Sequence, residues 1–154
     1  MQTESVTPAE LKTTREALGL SSEWVAEVGG VTVRSVRHWE SGNGVVPDDV
    51  ASILDELAAA ARGHVESQLA VPAGGPVTLL RFRDQDTLRA VTGLSWPAPT
   101  HAIAQLRVVD GLRALNVAAR LIWFNPDEYD RWAATAAEAS PEAWAGHQPW
   151  DHQP

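Results

Sequence analysis

The stretch that decides the reading is SEWVAEVGGVTVRSVRHWES, residues 22–41. Two short amphipathic segments flank a glycine pair here. For two helices to cross tightly around a turn, three things are needed within such a span: a small residue where they touch, a turn residue that tolerates left-handed backbone, and an apolar residue locking the second helix. Ala26, Gly30 and Val36 supply them in that order, and Val25 and Trp39 extend the apolar seam. With the seam inward, the outer face of the second segment carries Val33, Arg34, Arg37 and His38, with Thr32 and Ser35 beside it.

That outer face has the chemistry of a helix that reads a DNA major groove. Arg34 can donate two parallel hydrogen bonds to guanine O6 and N7, Val33 can pack on a thymine methyl, and His38, one turn on, can reach a neighbouring base edge. Arg37, Thr32 and Ser22 suit phosphates, Ser22 because it stands at a helix N-terminus. The plainer alternative is an amphipathic helical hairpin with no ligand. Under either reading Val36 and Trp39 belong to the core, and Glu40 is an ion-pair or cap partner rather than a base reader; in the plain hairpin Arg37 is simply a solvated charge.

Working outward, Thr7 and Pro8 open a first helix containing Leu11 and Leu18, which Gly19 ends. Ser21 or Ser22 caps the second helix, Gly29 and Gly30 break it, and Thr32 caps the third, over residues 32–40. Pro47, Asp48 and Asp49 open a fourth, with Val50, Ile53, Leu54 and Leu57 at helical spacing. Residues 1–70 therefore form an all-helical DNA-binding domain. The run VPAGGP, residues 71–76, is the linker. Beyond it, 77–83 and 117–124 are strand-like, 84–91 is a short helix, and Trp96-Pro97-Ala98-Pro99 is a rigid connection. Ile103, Leu106, Val109, Leu112 and Leu115 mark the apolar face of a longer helix, and Asn125-Pro126-Asp127-Glu128 opens a last one carrying Tyr129 and Trp132. Residues 77–139 thus make a small α/β unit and 140–154 a flexible tail. The fold class is α+β.

Composition sets limits. A chain of 154 residues with 44% hydrophobic content can bury a core. With no cysteine, disulfides, thiolate metal sites and cysteine nucleophiles are excluded. No apolar run spans a membrane, and the N-terminus is unlike a signal peptide, so a cytoplasmic protein is expected. The net charge of −8 is an obstacle to binding nucleic acid, and residues 1–69 carry five basic against eleven acidic side chains. Any DNA-binding face must be local, and must gain from base contacts and from doubling in a dimer.

The run VRSVRHWESGNGVVPDDV, residues 33–50, resembles the Cro/repressor-like helix-turn-helix superfamily through its Trp-Glu-Ser-Gly ending. More narrowly it is similar to the YdiL-like and anti-CRISPR-associated repressors, which share an aromatic-Trp-Glu-x-Gly run followed by a Pro-Asp-acid helix start. The resemblance covers residues 8–57 well and thins beyond 76. It implies a homodimeric (auto)repressor on an inverted repeat, with the second half as a dimerisation domain. It also implies that Thr32, Val33, Arg34, Ser35 and His38 fall where such proteins contact DNA. Val36 departs from the pattern, standing where relatives often have an aromatic residue.

Other sites carry less. His38, His64, His101, His147 and His152 have no metal-ligand spacing, and adjacent Asp48 and Asp49 point in different directions on a helix, so no metal and no cofactor is expected. No phosphate loop or nucleophile elbow is present, so an enzyme is not expected. Trp123, Phe124, Tyr129 and Trp132 can line a ligand pocket, though core packing or a dimer interface is the commoner use of such a cluster. Besides double-stranded DNA and a second copy of the chain, a toxin or other protein is a conceivable partner: the competing function is an antitoxin-like interaction module that binds DNA only to autoregulate.

Overall fold

Helix caps dictate most element boundaries in the computed structural model, which describes residues 5–150. Thr7, Ser21, Thr32, Asp84, Asn125 and Ser140 each accept a backbone N–H with their side chain at the start of a helix. These begin α1 (Pro8–Ala17), α2 (Ser22–Gly29), α3 (Val33–Glu40), α5 (Gln85–Thr92), α7 (Pro126–Ala133) and α8 (Pro141–His147). The longer α4 (Asp48–Ala70) and α6 (Ala98–Ala114) complete the helices, and β1 (Val77–Arg81) pairs with β2 (Ala119–Trp123). The protein is α+β.

The chain divides into two compact units, residues 1–64 and 65–154. The first is all helical, and its core is Leu11, Leu18, Leu20, Val25, Ala26, Val36, Val46, Val50, Leu54 and Ala61. The division falls inside α4 rather than at residues 71–76, because the last turns of α4 pack into the second unit. Val65 and Leu69 lie against the cluster of Val108, Val109, Leu112 and Ala119. Gly111 makes room for Leu69, whose Cδ1 would stand 2.7 Å from any Cβ placed there. Residues 71–76 form an exposed loop leading into β1.

In the second unit β1 and β2 form a two-stranded parallel sheet, in register from Val77↔Ala119 to Arg81↔Trp123. Alternate residues face opposite ways. Val77, Leu79, Ala119 and Leu121 join the cluster with α6, whereas Leu80, Phe82, Ile122 and Phe124 pack with Leu88 of α5, Tyr129 and Trp132 of α7, and Trp144 and Ala145 of α8. Both faces are covered, as a parallel sheet requires. Asn116 turns the chain from α6 to β2 in the left-handed conformation, φ 59°, while Val117 N–H reaches back to the Leu112 carbonyl at 2.9 Å.

Two expectations from sequence are corrected. The stripe of Ile103, Leu106, Val109, Leu112 and Leu115 is not the buried face of α6, since Leu106 is 47% and Leu115 64% exposed. A three-residue repeat drifts by about 60° per step around a helix of 3.6 residues per turn. The face that is buried runs through Ala98, Ala102, Gln105, Val108, Val109 and Leu112. The second correction concerns the flexible tail at 140–154. Ser140 caps α8, and Trp144 is 2% exposed in the core. Arg120 then holds the following segment, donating to the carbonyls of Gln148 at 2.8 Å and Pro149 at 2.7 Å and stacking 4.3 Å from the Trp150 ring. Residues 151–154, with His152, lie outside the described residues.

Candidate nucleic-acid interface

The turn between α2 and α3 is made by backbone geometry that only a few residues allow. Gly30 is left-handed, φ 63° and ψ 33°, and its N–H returns to the carbonyls of Ala26 and Glu27. A three-residue turn, Gly30 to Thr32, then delivers the chain to α3. Thr32 caps that helix: its Oγ1 accepts Ser35 N–H at 3.1 Å and lies 3.0 Å from Ser35 Oγ. One of those two hydroxyls donates to the other, so one hydroxyl proton stays available to a ligand. Ser22 is the first residue of α2 and half-buried, while the capping side chain is Ser21, which accepts Trp24 N–H at 3.0 Å.

Two contacts fix how α3 lies. Val36 is wholly buried beneath it. At its far end Arg15 of α1 grips Glu40 in a two-point pair, Nε to Oε1 at 2.5 Å and Nη2 to Oε2 at 3.0 Å, while Nη1 donates to the Leu20 carbonyl at 2.9 Å. The pair is nearly sealed, with side chains only 13% and 7% exposed, and hydrogen bonding to Glu40 raises the Arg15 pKa above its ordinary value. Glu40 is therefore neutralised inside the unit and adds no repulsion outside it. The sequence points to Glu40 as an ion-pair partner but not to Arg15, which lies 25 residues away with no local signal.

What remains on the surface of α3 is basic or polar. Arg34, Arg37, His38 and Thr32 are exposed, and Val33 and Ser35 are half-buried. Positions 34, 37 and 38 share one side of a helix because residues three and four apart are neighbours. Arg34 has no hydrogen bond or ion pair among the described residues. Arg37 pairs with Glu23 of α2 at 3.3 Å, with both side chains more than half exposed, an arrangement worth about 0–1 kcal/mol. The first turn of α3 has no acid, whereas α1, α2, α4, α5, α7 and α8 all have one. The positive end of its dipole therefore meets no acid of its own first turn, as is also the case in α6. After α3 the chain crosses close over His38 and Trp39, because a Cβ at Gly44 would lie 2.9 Å from Trp39 Cδ1 and 3.0 Å from His38 Cδ2. Trp39 is half-buried.

Other sequence candidates separate from this face. Phe124, Tyr129, Trp132 and His147 stack in series at 5.5, 6.2 and 6.2 Å, and Trp144 meets Phe124 edge-on at 5.5 Å. Phe124 and Trp144 are buried in the core, Tyr129 and Trp132 pack partly buried against them, and His147 is exposed. Trp123 stands apart, 45% exposed, with Arg81 and Arg83 at 4.6 and 4.4 Å from its ring. His101 is 2% exposed, tilted against Phe82 at 5.5 Å. Among the described residues no three His, Asp or Glu side chains gather as a metal site, and no helix is long and apolar enough to cross a membrane.

The geometry defines an ordered helical unit that presents one short polar, basic helix face. Among known proteins, the chain is similar to the Aca2 repressor of Pectobacterium phage ZF40, 43% identical over 54 residues. The match takes in 34% of this chain and spans about half, 47%, of that relative. This likeness supports kinship with repressor-type regulators. No family model matches the chain.

Proposed function

We propose that the protein is a sequence-specific DNA-binding transcriptional repressor, a homodimer on an inverted-repeat operator, with α2 and α3 as its helix-turn-helix. The observation that carries this is the outer face of α3, where Arg34, Arg37 and His38 stand exposed at a helix whose first turn has no acid and whose one acid, Glu40, is consumed by Arg15. This bears on the charge objection, because Glu40 is neutralised by Arg15 within the unit and, among the described residues, Glu23 is the one acid paired to the exposed face, through Arg37. Arg34 reads a guanine, Val33 touches a thymine methyl, and His38 and Ser35 reach flanking base edges. Thr32, Ser22 and Arg37 anchor phosphates. The likeness to a repressor supports the same role. The protein acts by binding rather than catalysis, in the cytoplasm where its operator lies.

Footprinting on the DNA upstream of its own gene tests this reading. A symmetric protected repeat is expected, with half-sites about one helical turn, roughly 34 Å, apart. Arg34→Ala should lose about 1–3 kcal/mol of specific binding and relax preference at one base pair, with the fold intact. Equal affinity of the folded protein for its own promoter and for scrambled DNA would sink it.

A further inference from the structure

The carboxyl ends of the two parallel strands carry a basic cluster. Arg81 closes β1, Trp123 closes β2, and the two are partners in the register. Arg83 follows two residues on. Both guanidinium groups lie over the Trp123 indole, 4.6 and 4.4 Å from its centre, and so within about 9 Å of each other. Stacking uses the flat face of a guanidinium and leaves the N–H donors in its plane open. Among the described residues, neither arginine uses those donors in a hydrogen bond or an ion pair. Asp84, next along the chain, turns its carboxylate to Thr87 instead.

The backbone beneath the cluster is fixed. Phe82 stands between the two arginines and Phe124 follows Trp123; both are buried, with their rings 5.3 Å apart. Phe124 N–H ties the strand ends together at the Arg81 carbonyl, 2.9 Å away. Beside the cluster lies a groove of about 320 Å³, lined by Arg83, Trp123, Asn125 and Glu128 with the neighbouring Phe124 and Pro126. Asn125 Oδ1 accepts Glu128 N–H, and the Asn125 amide N–H groups have no partner among the described residues. Open α/β sheets take their ligands in the crevice outside the carboxyl ends of parallel strands, where this groove lies.

We propose that the groove binds the phosphate monoester of a small molecule. A monoester carries close to two negative charges at neutral pH and three strong acceptor oxygens, which match two guanidinium groups and the Asn125 amide. A carboxylate, or the phosphodiester of a nucleic-acid backbone, has one charge and two free oxygens and leaves part of this donor set unused. The volume, at the small end of ligand pockets, suits the phosphate end of a small molecule. Trp123 is a positioning residue, holding both guanidinium groups by their faces. Glu128, exposed at the rim, opposes the anion and limits affinity. The site goes beyond the repressor reading and does not rest on it.

Titration calorimetry of the full chain with inorganic phosphate as the probe should show saturable binding at millimolar concentration. Arg83→Gln and Arg81→Gln replace exposed side chains, so both should fold, and each should weaken binding about tenfold or more. Trp123→Leu should weaken it with both arginines present, and Trp123→Phe, which restores a flat aromatic face, should recover most of the loss. Glu128→Gln should tighten it, and acetate and diethyl phosphate should bind far more weakly than phosphate. Absence of saturable binding would overturn the proposal, as would phosphate binding that survives loss of either arginine. Diethyl phosphate binding as tightly as inorganic phosphate would overturn it in favour of a nucleic-acid backbone. Arg34→Ala should leave phosphate binding unchanged, so failure of the operator reading and failure of this site are read separately.

Discussion

The helix α3 and the strand β2 are held in opposite ways. The helix is fixed at a few strong points, the Thr32 cap, the buried Val36 and the Arg15–Glu40 pair, and keeps a polar face bare. The strand is packed on both faces, with α6 on one side and a layer from α5, α7 and α8 on the other. A helix that keeps a polar face exposed needs local, directional fixing, since heavier packing would cover that face. A parallel sheet is fixed instead by apolar burial on both of its faces.

The largest test of this contrast is Trp144→Ala. If α8 is integral to the second unit, the loss should be about 3–5 kcal/mol in denaturant unfolding, as for other buried aromatics. A loss below about 1 kcal/mol would return residues 140–150 to the status of a tail.

Next in size is the clamp on α3. Arg15→Met should cost about 2–3 kcal/mol by stranding Glu40 in a nearly sealed site, and adding Glu40→Met should recover most of it. A double variant no more stable than the single would show that the pair itself, rather than the stranded charge, holds the helix.

Smaller effects belong to the exposed pair. Glu23→Gln should leave stability within about 0.5 kcal/mol and tighten DNA binding by freeing Arg37. Arg37→Ala should weaken binding to all sequences alike and reduce the salt slope by about one. A base-selective loss in that variant would move Arg37 from the phosphates to the bases.

The finest comparison sets acid sensitivity in one unit against the other. Asp84 accepts Thr87 N–H at 2.7 Å and its hydroxyl at 3.1 Å, which lowers its pKa below the ordinary 3.8. Glu10, accepting Thr7 N–H at 2.8 Å, is lowered below 4.5 for the same reason. A lowered folded pKa means the stabilisation is complete above the ordinary value and disappears as pH falls through the folded one. Asp84→Asn and Glu10→Gln should each flatten the acid limb of the stability curve between pH 5 and pH 2, read by circular dichroism, and a limb unchanged in both would show that neither cap is populated.

Much of the first unit was legible because its signals are local. Thr7-Pro8, Gly30, Thr32 and Pro47-Asp48 mark ends that the structure keeps, and of the expected apolar side of α4 Val50 and Leu54 are buried while Ile53 and Leu57 are half-buried. The same kind of signal was present at Ser140-Pro141-Glu142, a cap, an N1 proline and a first-turn acid, and points to α8 as clearly as Thr7-Pro8 points to α1. The outer face of α3 was likewise readable from helical spacing around Val36, down to Arg34, Arg37 and His38.

By itself the sequence determined where helices start and stop, because caps, prolines and glycines act on the backbone within a few residues of themselves. It determined too which residues α3 turns outward. Only the tertiary structure decided that Arg15 reaches Glu40 across 25 residues, which face of α6 is buried, and that Trp144 enters the core. Those depend on contacts between distant segments, whose partners no local spacing names.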